Sequence, residues 1–442
     1  MKSIFVFRRD LRLVDNSGLN FALSQGEVLP VFIFDPRQRN HKYFSWKAFN
    51  FLIDSLGSLD EELRKQGSRL NIYFGSPEKV VESLSKKYQA VFVNRDYTPF
   101  SIERDKKIKA ACKDAGLKFY SFNDSMLNSP ESVFKEDKTS YQVFTSYYKK
   151  ALQLTVSKPT TVNGEFLIDE KSESVSKLNF ELIEKSKMKG GRGEGLRVLQ
   201  SLKEFKDYNE RRDYPSINTS LLSAYLKFGV VSIREVYHEL RVLFGENHGL
   251  VRQLYFRDFF TYVAFHNPHV FTGAFDKKYD FIKWDDDPEM ILAWKSGKTG
   301  FPIVDAGMRE LNDTGLMHNR VRMITASFLT KDLGVSWRIG EEYFATKLVD
   351  YDPCINNSNW QWAAGTGCDA APYFRIFNPW RQQEKFDKNC EYIKKWVPEL
   401  KGLAPKQIHN LHKEKPLGVD YPSPIVDHGN ARNTALKRYS SL

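Results

Sequence analysis

The sequence predicts an α/β domain with a doubly wound parallel sheet, joined by a long linker to an all-helical domain. Two observations support this fold class. Strand-like and helix-like segments alternate from the N-terminus to about residue 124, a pattern typical of parallel sheets. Beyond Glu194 the strand-like segments stop, and segments with helical spacing follow one another with Gly or Pro at their ends.

The N-terminal strands are short runs rich in β-branched and aromatic residues. Between them lie helical segments such as 46–67, which ends at Gly67, a residue suited to the position after a helix. We expect any ligand of this domain at the carboxyl ends of the strands. Neither a GxGxxG nor a Walker sequence occurs, so the common nucleotide fingerprints are absent. The predicted strands are 3–9, 28–35, 70–75, 90–96 and 117–124.

The second part begins with a Ser-, Lys- and Glu-rich stretch that predicts a surface linker. The predicted helices beyond it are 194–205, 219–229, 232–245, 250–265, 288–297, 302–315 and 318–334. The predicted domain limits are 1–130 for the α/β domain, 131–193 for the linker, 194–412 for the helical domain and 413–442 for a short C-terminal tail, either partly docked or disordered.

Composition restricts the function classes. Of the 442 residues, 41% are hydrophobic and 14% aromatic, so a disordered protein is not expected. A net charge of +11 favours a polyanionic partner, nucleic acid before membrane, although a merely soluble basic protein would have the same surplus. No apolar run approaches the ~20 residues of a membrane span. The four cysteines form no CxxC pair, so we expect intracellular thiols, cytoplasmic or nuclear, and no metal site.

The segment 356–380 gathers three tryptophans, two phenylalanines, one tyrosine and five amides, but only one basic residue, Arg375. Sites that move protons usually gather His, Glu or Lys instead. Pro353 can open a helix here, which would put Asn356 and Trp360 on one face.

Upstream, the segment 317–323 places Asn319 and Met323 four residues apart on one helical face, while Arg322 projects elsewhere. Asp332 follows on the same predicted helix, and Asp350 and Asp352 lie beyond it. A buried network of ion pairs is an equal alternative to a binding site for these charges.

The segment 219–223, TSLLS, opens a predicted helix. Thr219 or Ser220 would be its N-cap, and the free backbone N–H groups there suit a phosphate. An ordinary cap is the alternative interpretation.

Three segments carry a resemblance to a known family: FVFRRDLRLVDN (5–16), TGLMHNRVRMITASFLTKDL (314–333) and VDYDPCINNSNWQWAAGTGCDAAPYFRIFNP (349–379). They resemble the photolyase/cryptochrome family, and the similarity extends from about residue 3 to about 412. The branch that they resemble most repairs cyclobutane pyrimidine dimers in DNA.

The resemblance implies a U-shaped FAD in the helical domain. An acceptor at Asp352 would meet ring N–H groups, Arg322 would balance charge on the reduced flavin, and the amide of Asn356 would lie beside flavin N5. The positions that match the flavin ring and its supports are Arg257, Asn319, Arg322, Asp350, Asp352 and Asn356. The positions that match the phosphate and ribitol contacts are Tyr208, Thr219, Ser220, Leu221, Leu222 and Ser223.

The same resemblance implies light-driven electron transfer. Trp360, Trp337 and Trp284 match, from inner to outer, a chain that carries electrons from the surface to photoexcited oxidised flavin. Without the family, each would be interpreted as a core residue. Repair itself would use reduced flavin, whose excited electron enters a dimer flipped out of the duplex, so that two C–C bonds break before the electron returns.

A lesion pocket is also implied. The matching positions are Gln253, Phe256, Asn319, Arg320, Met323, Trp362 and Arg375, with the two arginines placed near the lesion or its phosphates. Solvated surface charge is the alternative for these arginines.

The chain departs from the family pattern at three positions. Gln253 stands where dimer photolyases usually have glutamate, and Phe256 and Leu316 each stand where tryptophan is usual. We therefore expect dimer repair with reduced efficiency, and a cryptochrome-like light sensor is the alternative. A (6-4) photolyase is disfavoured, because Asn319 and Met323 replace two required histidines and leave only His318 nearby.

The α/β domain of such proteins usually holds a light-harvesting chromophore. Phe100 and Ser101 stand where folate-binding members have Asn and Glu, so folate is disfavoured and a deazaflavin, a second flavin or none remain. Arg8, Arg9, Asp10 and Arg12 are expected to form structural ion pairs. The expected partner is DNA containing pyrimidine dimers, with no membrane association, and we expect a monomer.

Overall fold

A computed structural model describes residues 1–178, 180, 184, 186–414 and 416–442. The remaining positions of the predicted linker (179, 181–183 and 185) and tail (415) lie outside the described residues. The N-terminal part contains the predicted parallel sheet, with strand order β3-β2-β1-β4-β5. Its strands are β1 (Ser3–Phe7), β2 (Val28–Phe34), β3 (Asn71–Phe74), β4 (Ala90–Asn94) and β5 (Lys118–Phe122).

The sheet is buried on both faces in its centre. Every residue of β1 and of β4 is buried, which explains why these strands are continuous apolar runs without polar alternation. Ser3 pairs with Val28 on one side and Ala90 on the other. All five strands lie within the predicted segments, and each is shorter than its segment by one to three residues.

The α-helices are numbered in chain order. They are α1 (Ser17–Ser24), α2 (Pro36–Arg39), α3 (Trp46–Arg64), α4 (Pro77–Leu84), α5 (Pro99–Asp114), α6 (Phe144–Ala151), α7 (Arg192–Ser201), α8 (Tyr208–Arg211), α9 (Leu222–Lys227), α10 (Ile233–Phe244), α11 (Gly249–His266), α12 (Pro288–Ser296), α13 (Pro302–Thr314), α14 (Asn319–Ser327), α15 (Trp337–Lys347), α16 (Pro353–Ala364), α17 (Pro379–Phe386), α18 (Glu391–Trp396), α19 (Pro405–His409) and α20 (His428–Ser440).

The chain forms two compact units. The first unit contains Met1–Lys206 and Ser220–Pro268, and the second unit contains Asp207–Thr219 and His269–Leu442. Helices α9 to α11, which follow the predicted linker in sequence, therefore belong to the same unit as the sheet. The predicted domain limits, drawn from composition, stay a prediction.

Ion pairs lie at the carboxyl ends of the strands in the first unit. Arg8 pairs with Asp105 (2.5 Å) and Arg9 with Asp96 (3.1 Å). Asp124, which follows β5, is fully buried and accepts from Arg12 (2.6 Å) and Arg234 (2.7 Å). Burial disfavours the charged form of Asp124, but the two guanidinium groups outweigh it and lower its pKa well below the usual range.

The second unit has a helical core, and helix α14 does not continue as predicted. It changes at Phe328–Asp332 into a π-helical turn, so the prediction of one helix carrying Asp332 is wrong. The turn buries both Lys331 and Asp332. Helix α20 packs on this turn, with His428 bonded to Asp332. Helix α20, which lies in the predicted C-terminal tail, is thus docked on the second unit.

None of the helices in the described residues is both long enough and apolar enough to cross a bilayer.

Replacing Asp124 with Asn should destabilise the protein by about 3–5 kcal/mol, because it removes one partner of a buried ion pair and leaves guanidinium charge uncompensated. Urea denaturation followed by circular dichroism measures the change. Asp114→Asn, at an exposed position near the end of α5, is the matched control and should have almost no effect. Equal stability of both variants would contradict the role of Asp124.

Candidate functional site

Helix α16 begins at a strong N-terminal cap. One carboxylate oxygen of Asp352 accepts from the backbone N–H groups of Cys354 (3.0 Å) and Ile355 (3.3 Å). Pro353 occupies the first helical position, where its missing N–H costs nothing. As predicted, Asn356 and Trp360 therefore lie one turn apart on one face of the helix.

The side chain of Asn356 is oriented by a neighbouring helix. Its Nδ2 donates to the carbonyl oxygen of Glu341 on α15 (3.1 Å). This bond uses one of the two hydrogens of the amide, which leaves the second N–H and the acceptor oxygen for another partner. Asn356 and Asp352 are both buried, at 8% and 5% exposure, so their polar atoms need defined partners.

Arg322 forms an ion pair with Asp350, which lies just before α16 in the sequence. The guanidinium donates to both carboxylate oxygens of Asp350, at 3.2 and 3.0 Å, and its Nε donates to the carbonyl oxygen of Met317 (2.8 Å). The Asp350 side chain is only 6% exposed. The cationic group is therefore held in one orientation from two sides.

Two of the predicted electron-carrying tryptophans lie in the core of the second unit. Trp360 and Trp337 are almost completely buried, and the Trp360 ring packs directly on the backbone of Gly340, where a Cβ atom would overlap it. Trp337 is the first residue of the helix that carries Gly340. Phe344 of that helix meets Trp360 edge-on, with ring centroids 4.9 Å apart.

Trp284 is half-buried at the border of the same core. The next residue, Asp285, donates its N–H to the carbonyl oxygen of Gly334 (2.9 Å) and pairs with Val335, just before α15 begins. The ring of Trp284 meets the ring of Tyr439 of α20 edge-on, with centroids 6.3 Å apart. Burial thus decreases from Trp360 and Trp337 to Trp284, in the predicted order of the chain.

The N-terminal half of α14 carries three of the predicted lesion residues, Asn319, Arg320 and Met323. Asn319 is exposed, and its Nδ2 lies 3.8 Å from the sulfur of Met323. Arg320 pairs with Asp213 (2.7 Å). Elsewhere in this unit, Trp362 is half-buried and Arg375 is exposed.

In the first unit, Gln253, Phe256 and Arg257 lie on one face of α11, at spacings of three and four residues. The Phe256 ring is stacked on Phe144 of α6, with centroids 3.5 Å apart. One face of Phe256 is therefore covered by a residue from the predicted linker. Arg257 donates to the carbonyl oxygen of Ser125.

The predicted cap of α9 is wrong. Leu221 has a left-handed backbone (φ 53°), and the six-residue helix begins only at Leu222, with no side-chain cap. Thr219 and Ser220 therefore precede the helix instead of capping it, because the left-handed residue separates them from its first turn. Ser223 is exposed. Tyr208 begins α8, and burial raises the pKa of its hydroxyl group.

His318 caps helix α14, with its Nδ1 accepting from the N–H of Arg320 (3.1 Å). Burial lowers the pKa of His318 to about 4. It is therefore neutral near pH 7, which weakens it further as the acid that (6-4) repair would need.

Two residues that the sequence did not single out also pack around this site, Trp294 and Lys331. Trp294 is fully buried, bonds the carbonyl oxygen of Thr325 and lies edge-on to Trp360 at 6.1 Å. Lys331 donates to the carbonyl oxygen of Ala364 (2.7 Å) and lies 3.5 Å from the ring centroid of Tyr439. The apolar spacing of α12 was a signal for burial of Trp294, but no sequence signal links Lys331 with Tyr439.

Two family models match the chain. Residues 3–163 match the family "DNA photolyase", and residues 250–441 match the family "FAD binding domain of DNA photolyase". Together they include the sheet of the first unit and nearly every site residue on α11, α14, α15 and α16.

Full-length relatives agree with these matches. A deoxyribodipyrimidine photo-lyase of Halobacterium salinarum is 36% identical, covering 99% of this chain and 98% of that protein. An archaeal photolyase structure from Sulfolobus tokodaii, with two FAD molecules, has a TM-score of 0.94 at 48% identity and covers both chains completely. The structure of a class III photolyase from Agrobacterium tumefaciens has a TM-score of 0.92 at 36% identity and covers 100% of this chain and 97% of that chain. The structure of a Synechocystis cryptochrome has a TM-score of 0.88 at 30% identity and covers 99% of each chain.

The match to an FAD-binding domain over α11 to α20 and the photolyase match over the sheet define a flavoprotein of the photolyase type. The chain belongs to the photolyase/cryptochrome family.

Gly340→Ala should displace the Trp360 ring, because the added methyl group would overlap it and would also lie 2.6 Å from Leu329. We expect a loss of about 1–3 kcal/mol in the free energy of unfolding and a change in the near-ultraviolet circular dichroism of buried tryptophan. Gly57→Ala is the matched control, since its methyl group would meet nothing within 4 Å in the middle of α3. An unchanged stability of Gly340→Ala would contradict the close packing described here.

Proposed function

We propose that this protein repairs cyclobutane pyrimidine dimers in DNA with light, as a deoxyribodipyrimidine photo-lyase that uses FAD. The observation that carries the proposal is the buried group formed by Asp352, Asn356 and Trp360 on α16, beside Gly340 of α15. It supplies an acceptor, an amide and an aromatic ring, which suit a redox ring system better than acid–base chemistry. The similarity to photo-lyases over the whole chain supports the same conclusion.

The residues present fit a flavin. When bound, FAD supplies light absorption and the electron that splits the dimer. Asp352 offers a carboxylate to ring N–H groups, Asn356 offers its acceptor oxygen, and Arg322 offers a positive charge held by Asp350. The remaining proposed contacts are Tyr208, Thr219, Ser220, Leu221, Leu222, Ser223, Arg257 and Asn319.

The protein's own part in the reaction is to hold rings and exclude water. Trp360 and Trp337 are buried and Trp284 is half-buried, so these side chains offer a route for electrons from the surface into the core. Because the rings are fixed by packing, an electron can leave or arrive with little movement of the surrounding groups.

Binding of the lesion is assigned to the positions that match the lesion pocket of the family. Trp362, Met323 and Phe256 are proposed as apolar walls, and Arg320 and Arg375 as phosphate contacts. A damaged and badly stacked pair costs the least to flip out of the duplex, which provides part of the selectivity. The net charge of +11 agrees with a polyanionic partner.

We propose in addition that the protein acts as an intracellular monomer. Any second, light-harvesting chromophore would be held by the first unit; Phe100 and Ser101 disfavour folate, which leaves a deazaflavin, a second flavin or none. In an absorption spectrum of the purified protein a deazaflavin adds its own band, and the ratio of flavin to protein distinguishes a second flavin from none.

The test of the function is direct. Reduced protein is mixed with an oligonucleotide that contains a thymine dimer, illuminated with blue or near-ultraviolet light, and followed by the recovery of thymine absorbance. Recovery in light but not in darkness supports repair. No recovery, together with normal light-driven reduction of the bound flavin, would favour the second candidate, a cryptochrome-like light sensor, for which the replacements at Gln253 and Phe256 argue.

Trp360→Phe should abolish light-driven reduction of the flavin, because it removes the innermost ring of the electron route. Repair by chemically reduced protein should persist. Bleaching of the flavin absorption under illumination measures the first effect, and the dimer assay measures the second. Trp46→Phe, in the first unit, is the control. If Trp360→Phe bleaches as fast as the unmodified protein, the proposed route is wrong.

Gln253→Glu and Phe256→Trp should each raise the number of dimers repaired per absorbed photon. Glutamate would restore a group that can share a proton with the lesion, and tryptophan would restore stacking area. Quantum yields measured under identical illumination test both variants. Unchanged yields in both would remove the inference that these two residues limit repair.

A further inference from the structure

The guanidinium group of Arg320 is held between an acid and an aromatic ring. Its Nη2 lies 2.7 Å from Oδ1 of Asp213, and its Cζ lies 4.3 Å from the centroid of the Phe386 ring. Within the described residues, its Nε is buried and has no hydrogen-bond partner. The ring fixes the plane of the guanidinium, while part of its donor capacity is unused.

Asp213 is an exchangeable partner for this group. It follows the short helix α8 in an irregular segment, and its side chain is 35% exposed. The neighbouring Tyr214 is also exposed and meets Phe386 edge-on at 6.3 Å. The carboxylate can therefore move away from Arg320 into water, while the Arg320 side chain, which is 14% exposed, keeps its place beside Phe386.

The other arginine–aspartate pair on α14 provides the contrast. Asp350 holds Arg322 through two hydrogen bonds, and its side chain is only 6% exposed. That pair is built into the unit. Of the two acids, only Asp213 is placed where another anion in solution could take its position.

We propose that Asp213 is an affinity-setting residue of the DNA-binding surface, whose carboxylate occupies the place on Arg320 that a DNA backbone phosphate takes in the complex. This inference rests on the proposed function. Both anions present oxygen atoms to the planar guanidinium, so one can replace the other on the same donors. Phe386 keeps the guanidinium oriented during the exchange, and the Nη2 that Asp213 releases becomes available to the incoming phosphate.

The exchange lowers the net affinity for DNA, because the contact with Asp213 must be broken first. It also disfavours non-specific contacts that involve a single phosphate, since these replace one ion pair with another. His318 adds no charge near neutral pH, because burial lowers its pKa to about 4.

The test is Asp213→Asn in the full-length, flavin-loaded protein. Fluorescence anisotropy with an undamaged duplex oligonucleotide at low salt should show binding about two- to fivefold tighter than in the unmodified protein, which corresponds to a surface ion pair. Asp286→Asn, an exposed residue of the same unit, changes the net charge by the same amount and should give a much smaller effect. In an Arg320→Gln background, Asp213→Asn should give no gain.

Unchanged or weaker binding by Asp213→Asn would overturn the inference, because it would make Asp213 a support that positions Arg320. Circular dichroism and flavin content confirm folding; if Asp213→Asn does not fold, Asp213→Ser is measured in its place with the same expected gain. A protein that binds no DNA in any form would contradict the proposed function itself, which separates that failure from a failure at Asp213 alone.

Discussion

The cap that Asp352 places on helix α16 is the interaction on which the rest of the candidate site depends. Its bonds to Cys354 and Ile355 set where the helix begins, and such caps stabilise a helix by about 0.5–2 kcal/mol. The start of the helix determines which face carries Asn356 and Trp360. That face then packs on α15, where Gly340 leaves room for the indole and Glu341 receives the amide. The carboxylate of Asp352 thus fixes the positions of the Asn356 amide and the Trp360 ring.

This arrangement explains why the segment 356–380 has so many rings and so few acids and bases. Proton transfer needs groups whose pKa values are close to the working pH. Electron transfer needs polarizable rings at fixed separations in a medium that reorganises little. The core around Trp360 provides such a medium, with Trp294, Phe344 and Trp337 buried in one cluster. Arg322 and Asp350 neutralise each other, and the buried side chains of Lys331 and Asp332 are bonded to Ala364 and His428.

The parts of the fold that the sequence predicts are those with a local cause. Periodicity and β-branched residues were sufficient for all five strands, and Pro353 for the start of α16. The left-handed Leu221 was not predictable, because nothing in TSLLS distinguishes it from a helical residue. Contacts between distant segments, such as Phe144 on Phe256 and Asp213 on Arg320, depend on tertiary packing that spacing in one segment does not reveal. The family resemblance was sufficient to predict the residue types of the flavin site, but not its hydrogen bonds, which depend on the folded structure.

The π-helical turn at Phe328–Asp332 has a consequence for how this chain could tolerate change. A π turn accommodates one residue more than an α turn, so deleting a single residue here would return the chain to a regular helical turn and redirect the side chains within it. Lys331 and Asp332 would then leave the positions in which they meet Tyr439 and His428. Loss of one codon at this turn would therefore undock α20, although this helix lies about a hundred residues further along the chain.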